Sequence, residues 1–453
     1  MTDLVQRTLQ RLASQLSGRL SMPGDEGYIA ATAIWAKPVG RAPRVVAHCQ
    51  TAEDVQSAVR AARDCYLPLS VRGGGHDWAG RALCDGLTID LSAMNSVVVG
   101  PDKQIAQIAG GALASDVFAV TDPLGGAVAM GAVGAVGVAG LTLGGGYGAL
   151  IGCFGLALDN LLAAEVVLAD GRIVAADHGK EEDLYWALRG GGGNFGVVTS
   201  MQHRLHDLPG IRSGLLIYPF AEAKTILEGC AALASAAPDE LTMQVGFVAG
   251  QDGAPVVFVV PTWCGAAAAG EAQVAPFLKL GTLLAGSLTM QSYGESLRTF
   301  DGSFTNGQRV FMETSWLPVL DSAGIDTLIR AMEVAVSPGC AIVTHEFRGA
   351  ASRIPVEATA FGLRRDHVLI EIIATFVDRS DEMEAERHRL WARSTRQALE
   401  AMALPGGYPN LLAGNDTDRV AKSYGPNLER LLKAKRHYDP DNLFGSAIPL
   451  PVG

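Results

Sequence analysis

The chain has 453 residues, enough for two or three domains around a substantial core. Its formal net charge of -11 disfavours nucleic acid and anionic membranes as partners, because proteins that bind them carry a basic patch. Seven cysteines, at 49, 65, 84, 153, 230, 264 and 340, contain no C-x-x-C pair, which argues against a structural zinc site or a disulfide framework.

No run of about twenty apolar residues reads as a membrane span. Asp3, Arg7 and Arg11 interrupt the N-terminus early, unlike a secretory leader. The expected location is cytoplasmic. Leu9, Leu12, Leu16 and Leu20 recur at helical spacing and predict an amphipathic opening helix stopped by Pro23-Gly24. A strand is predicted over 44–48. A helix follows, with Thr51 as its cap, Glu53 and Asp54 in the first turn, and a buried stripe of Val55, Ala58, Val59 and Ala62. It feeds a short apolar strand over 69–71 that runs into Arg72-Gly73-Gly74-Gly75-His76-Asp77.

Three consecutive glycines give up much backbone entropy on folding. Two readings account for them. One is a tight turn with an exposed histidine. The other is a bare main chain whose N–H groups form an anion nest for a phosphate, with His76 at its mouth.

Strands over 87–91 and 105–108 and a helix over 114–120 come next. Between Gly125 and Gly148 the residues are almost all small, culminating in Gly144-Gly145-Gly146-Tyr147-Gly148. A membrane helix is one reading, but so much glycine weakens a helix by up to about 1 kcal/mol per site. A backbone wall against something flat and apolar fits better. Asp170-Gly171 between two apolar runs predicts a hairpin, and a helix over 183–188 leads to Gly190-Gly191-Gly192-Gly193-Asn194-Phe195-Gly196. Gly191 to Gly196 spells G-x-G-x-x-G, yet the order is helix, glycines, strand. The dinucleotide fingerprint needs the reverse, so a nicotinamide-type Rossmann site is rejected.

Beyond Asp207-Leu208-Pro209 the texture changes. Strands are predicted over 215–218, 242–248, 256–262, 341–347 and 368–376, with helices over 221–234, 324–336 and 382–402, as in a second α+β domain. From Tyr424 onward the tail reads as loop. Strand alternation at 343–348 puts Thr344, Glu346 and Arg348 on one face and His345 and Phe347 on the other. Glu371, between Ile370 and Ile372, is an acid that is costly to bury unpaired. Both Glu346 and Glu371 are candidate bases, with a solvated face or a structural ion pair as the alternative.

In this order, the pieces resemble the berberine-bridge-enzyme-like oxidases of the vanillyl-alcohol-oxidase superfamily. Val71 to His76 resembles the pyrophosphate loop, and Gly137-Val138-Ala139-Gly140-Leu141-Thr142 through Gly148 resembles the segment under the flavin ring. Gly155 to Asn160 and the stretch 183–199 continue the flavin part. Tyr424-Gly425-Pro426-Asn427 and Lys435 to Phe444 resemble the C-terminal signature. The resemblance implies an α+β, two-domain PCMH-type FAD-binding fold whose substrate domain rests on a mainly antiparallel sheet covered by helices. It implies an FAD-binding part over 1–207, a substrate-binding domain over 208–405, and a segment over 406–453 that returns to the FAD part.

His76 is implied as the 8α-histidyl anchor of FAD. Relatives with a second, cysteinyl anchor carry it where this chain has Val133, and Cys153 lies past the family's position, so attachment through His76 only is expected, with Cys153 packed as a small hydrophobe. Implied cofactor contacts are Arg72, Gly73, Gly74, Gly75, Asp77, Val136, Gly137, Gly140, Gly148, Val198, Asn410 and Asn442; Val136 resembles the position that admits oxygen. Tyr147 and Tyr408 join Glu346 and Glu371 as catalytic candidates, and no metal is expected. The implied activity is an oxidase that takes hydride from a C–H next to a hydroxyl or amine of a small molecule and reduces O2 to H2O2. The alternative is a dehydrogenase or oxidative cyclase using another acceptor. The expected assembly is a monomer or homodimer.

Overall fold

Local chemistry dictates the first layer. In the computed structural model, which describes residues 3–37, 40–303, 305–376, 382–413, 416–448 and 450–451, the Thr51 hydroxyl accepts the Asp54 N–H at 3.2 Å and caps the helix Ala52–Asp64. Val55, Ala58, Val59 and Ala62 are fully buried beneath it. The helix crosses over a four-stranded sheet ordered Leu20–Ser21, Val45–His48, Leu87–Asp90, Leu69–Arg72, of which the last three are parallel. Leu9, Leu12 and Leu16 join the same core. The opening helix is shorter than its leucine spacing predicts, Asp3–Gln15. Gly18, at φ 85°, turns the chain and donates its N–H to the Ala13 carbonyl at 2.7 Å, a helix stop of the left-handed type. Leu20 therefore starts a strand.

A second sheet is antiparallel throughout, in the order Val97–Val99, Ile105–Ala109, Val197–Arg204, Leu161–Val167, Ile173–Asp177. Its last two strands are the hairpin expected at Asp170-Gly171.

Among the described residues the third sheet has nine strands, all paired antiparallel. Its main path runs Ala285–Gly286, Leu216–Pro219, Pro255–Trp263, Leu241–Ala249, Cys340–Phe347, His367–Phe376, Arg309–Leu317. The helices Ala223–Ser235, Ser322–Glu333 and Glu382–Leu399 cover one face and bury Ile226, Leu328, Ile370, Ile372 and Trp391. The strand Arg309–Leu317 carries no prediction from the sequence.

The tail corrects the loop expectation. From Tyr424 onward it contains the helix Leu428–Tyr438, and the helix Thr417–Tyr424 leads into it. Val420, Tyr424, Leu431 and Ala434 pack into the core of the five-stranded sheet, so the chain's end returns to the layer built by its first half.

Candidate active site

A cavity of about 570 Å³ opens where the three sheets meet. One wall is almost bare main chain. A Cβ on Gly74 would meet the Gly137 backbone at 2.5 Å, and one on Gly137 would meet Gly74 equally closely. Gly75 holds φ +68°, a region strained for other residues. A Cβ on Gly140 would meet nothing within 4 Å, because Gly140 faces the cavity. Such a wall lets a flat ring lie against backbone. Two residues along it, Trp78 and Arg81, carry buried nitrogens (Nε1 and Nη1) that have no hydrogen-bond partner among the described residues. Bare backbone beside unmatched donors suits a dinucleotide with an anionic pyrophosphate, so the residues present fit FAD.

The glycine run delivers His76 to the cavity. Its ring stacks on Trp35, centroids 4.4 Å apart and 10° from parallel, and the Trp35 N–H donates to the Gly75 carbonyl at 3.0 Å. Burial pushes the His76 pKa down to about 4, against the opposing pull of Asp77 and Glu371. The imidazole is therefore neutral at neutral pH and keeps a nucleophilic lone pair. Asp77 pairs with Arg81 at 2.7 Å, and Arg81 Nη2 donates to the Asn410 carbonyl at 2.6 Å. That chain of contacts joins the histidine loop to the tail.

Opposite lies the open face of the large sheet. Glu371 Oε1 sits 3.2 Å from His345 Nε2, and Gln244 Nε2 lies 3.0 Å from His345 Nδ1. Gln244, His345 and Glu371 all line the cavity. Tyr147 and Tyr408 stand between the two walls, ring centroids 4.9 Å apart. His367 Nδ1 faces the Arg365 carbonyl at 2.7 Å, and a carbonyl only accepts, so Nδ1 carries a proton. Burial lowers the His367 pKa to about 3. Its Nε2 is then an acceptor, and Tyr147 donates to it at 2.8 Å. Burial also raises the Tyr147 pKa well above the usual phenol value. The Tyr408 oxygen accepts from the Gly146 N–H at 2.8 Å and from Asn410 Nδ2 at 3.0 Å. Tyr147 is thus held as a donor, and Tyr408 as an acceptor.

Of the residues predicted from sequence, Gly73, Gly74, Gly75, His76, Asp77, Val136, Gly137, Gly140, Val198, Asn410, Tyr147, Tyr408 and Glu371 line this one cavity. Four do not. Arg72 turns away to Asp90, Nη1 to Oδ1 2.8 Å. Asn442 occupies a left-handed turn at φ 52°. Gly148 and Glu346 border a smaller adjoining void. There the ladder between the strands Leu241–Ala249 and Cys340–Phe347 stops short, before Gly246 on the first and after Val343 on the second. Thr344 Oγ1 and Glu346 Oε2 substitute for the ladder, accepting the N–H groups of Val245 at 3.2 Å and Met243 at 2.9 Å. Burial pushes the Glu346 pKa up to about 7.

Cys153 is off the cavity and half-buried, whereas Val133 lines it. Trp35 and Gln244 went unnoticed in the sequence, since neither belongs to a local motif. Among the described residues, no group of three His, Cys, Asp or Glu side chains is arranged for a metal, and no helix is long and apolar enough to cross a membrane.

This fold and site define an FAD-dependent oxidoreductase. An FAD binding domain family matches residues 43–177, and a berberine and berberine-like family matches residues 405–451. (R)-6-hydroxynicotine oxidase of Paenarthrobacter nicotinovorans is 30% identical over 453 residues, covering 96% of this chain and 97% of its own. An uncharacterised FAD-linked oxidoreductase of Bacillus subtilis, YgaK, is 27% identical and covers 95% of this chain and 96% of its own. Among solved structures, 6-hydroxy-D-nicotine oxidase from Arthrobacter nicotinovorans superposes with a TM-score of 0.86 at 28% identity, covering 95% of this chain and 97% of its own. A chitooligosaccharide oxidase, at 21% identity and TM-score 0.84 over 98% of this chain and 100% of its own, shares the fold. The chain belongs to the berberine-bridge-enzyme-like family of FAD-linked oxidoreductases.

Proposed function

We propose that the protein is an oxidase of a compact, largely apolar molecule bearing one hydroxyl or amine, with FAD bonded through His76 alone. The carrying observation is one cavity that has a neutral, half-buried imidazole on its glycine wall and a carboxylate–imidazole pair on its sheet wall. Gly73, Gly74, Gly75, His76 and Gly137 would hold FAD along the bare wall, and the bound flavin would supply the hydride acceptor and the route by which dioxygen becomes hydrogen peroxide. In this reading residues 1–207 and 406–453 hold FAD, and residues 208–405 shape the substrate side.

The protein's own residues supply the rest. Glu371 accepts the proton that the substrate heteroatom gives up. His345, with one ring nitrogen toward Gln244, steadies that carboxylate through the other. Around them Val248, Phe258, Ala341, Val343 and Ile373 present apolar surface. Among the described residues no Lys or Arg of the large sheet lines the cavity, which disfavours an anionic substrate. The name of the 30% relative, an oxidase of 6-hydroxynicotine, accords with a small amine. A valine at 136 lining the cavity accords with oxygen as acceptor.

Acid precipitation followed by mass analysis tests the attachment. The wild-type pellet should stay yellow with one added FAD mass, and His76→Ala should lose the colour to the supernatant. Colour lost from the wild type, or retained in His76→Ala, overturns the single attachment. Catalase-sensitive peroxide release on a panel of small alcohols and amines tests the oxidase reading; turnover only with an artificial acceptor refutes it.

A further inference from the structure

Away from the cavity, two thiols face each other across the two halves of the molecule. Cys153 Sγ lies 3.5 Å from Cys264 Sγ, although 111 residues separate them. Cys153 sits on the short helix Ile151–Phe154, just past the glycine-rich segment of the cavity wall. Cys264 follows the strand Pro255–Trp263 of the large sheet. The approach is built into the packing. Gly152 lies so close to the Asp239 backbone that a Cβ would meet its carbonyl oxygen at 2.2 Å. Thr242 Oγ1 donates to the Ala149 carbonyl at 2.5 Å, and the Cys264 N–H donates to the Glu240 carbonyl at 2.9 Å. These contacts hold helix and strand in register. Six of the seven cysteines, Cys264 among them, are buried, and for the other five, 49, 65, 84, 230 and 340, no hydrogen bond to a second cysteine sulfur is seen among the described residues. Cys153 alone is half-exposed.

We propose that Cys153 and Cys264 are a peroxide-sensitive dithiol that closes into a disulfide stapling the flavin half of the molecule to the substrate sheet. Hydrogen peroxide is the oxidant. The half-exposed Cys153 sulfur attacks it, the O–O bond breaks, an S–O bond forms, and water leaves. The Cys264 sulfur then displaces the hydroxyl from Cys153, forming the S–S bond and releasing a second water. Two thiols and one peroxide give one disulfide and two waters. The Cys264 sulfur lies 3.5 Å from the Cys153 sulfur and 3.4 Å from the Glu240 carbonyl oxygen, and with its single S–H turned to the sulfur it donates to the attacking atom. That donation favours the Cys153 thiolate and lowers its pKa, with burial, Glu240 and Asp239 opposing and Arg353 assisting. Peroxide is also the by-product in the reading given above, so such a staple forms where the enzyme works. The test adds peroxide directly and stands apart from that reading.

The purified full chain is treated with a few equivalents of hydrogen peroxide and its thiols are titrated in denaturant. The count should fall from seven to five, a Cys153–Cys264 linked peptide should appear in a non-reducing digest, and dithiothreitol should restore the original count. Cys264→Ser should leave Cys153 as a sulfenic acid that dimedone traps, and Cys153→Ser should resist peroxide at this dose. A count that stays at seven overturns the proposal. So does a loss of thiols without the linked peptide, such as a sulfinic acid at Cys153.

Discussion

Glu371 shows how one side chain acquires a role from its neighbours. Its strand places Ile370 and Ile372 into the helix-covered core and turns Glu371 toward the cavity, where His345 meets it at 3.2 Å. A carboxylate there is paired, so it is not the buried orphan its apolar flanks threaten. In the function proposed above, Glu371→Gln keeps the shape and removes the proton acceptor. The expected loss in kcat is about 10²- to 10⁴-fold, the usual range for a positioned general base, read by steady-state kinetics with flavin content unchanged. Glu346 carries a different prediction. Burial raises its folded pKa to about 7 from an ordinary value near 4.3. A raised folded pKa means that the folded state holds the proton longer. Its stabilising contribution is full below the unfolded value and is lost as pH rises through about 7. Denaturant midpoints of the wild type should therefore lose this contribution between those pH values, and Glu346→Gln should flatten the profile there. An unchanged slope in the variant would assign the pH dependence to other groups.

At the scale of elements, what was readable followed local rules. The Thr51 cap, the Asp170-Gly171 hairpin and the glycine run each signal with adjacent residues, and the structure has an element at each. The C-terminal helix Leu428–Tyr438 signalled poorly because its inner face includes a charge. Lys435 is buried between Leu431 and Tyr438, where Nζ meets Asp439 Oδ2 at 2.5 Å and donates to the Asn194 carbonyl at 3.0 Å. The strand Arg309–Leu317 hid for a like reason, since Glu313 interrupts its apolar run and pairs with Arg396 and Arg419 at 3.3 and 3.4 Å. In the site, His76 and Glu371 were legible as a histidine after glycines and an acid among isoleucines. Trp35 and Gln244 reach the cavity through tertiary packing and leave no local mark. Lys435 also carries a consequence. Asp439 holds the Leu443 and Phe444 N–H groups, and Asn194 belongs to the loop whose Gly192 and Gly193 line the cavity. Lys435→Met leaves a buried carboxylate without its cation, a loss of roughly 3–5 kcal/mol, measurable by urea unfolding. Lys435→Arg should lose less.

For the whole molecule, the decisive geometry is the placement of the large sheet over the glycine wall. Arg364 holds it. The guanidinium grips Asp159 through both oxygens, at 2.9 and 2.7 Å, and also reaches Thr359 Oγ1 at 2.8 Å and the Ala351 carbonyl at 3.2 Å. Both partners are almost completely buried, at 2% and 4% side-chain exposure, so the pair is not screened as a surface bridge would be. Asp159 belongs to the segment that follows the cavity's glycine wall, and Arg364 lies just ahead of the strand His367–Phe376 that presents Glu371. The ion pair thus ties the approach to that strand to the glycine wall, and the prediction is that it fixes where Glu371 sits. Arg364→Lys keeps the charge and loses the two-pronged grip. A displacement of about 1 Å at the reacting groups lowers turnover by about 10²-fold. Turnover in Arg364→Lys should therefore drop by roughly tenfold to a hundredfold, with flavin content unchanged. Arg364→Leu strands Asp159 in the interior and should in addition lower stability by roughly 3–5 kcal/mol. If Arg364→Lys turned over like the wild type, the height of Glu371 would have to be set by the packing of Tyr147, Phe347 and Phe361 instead.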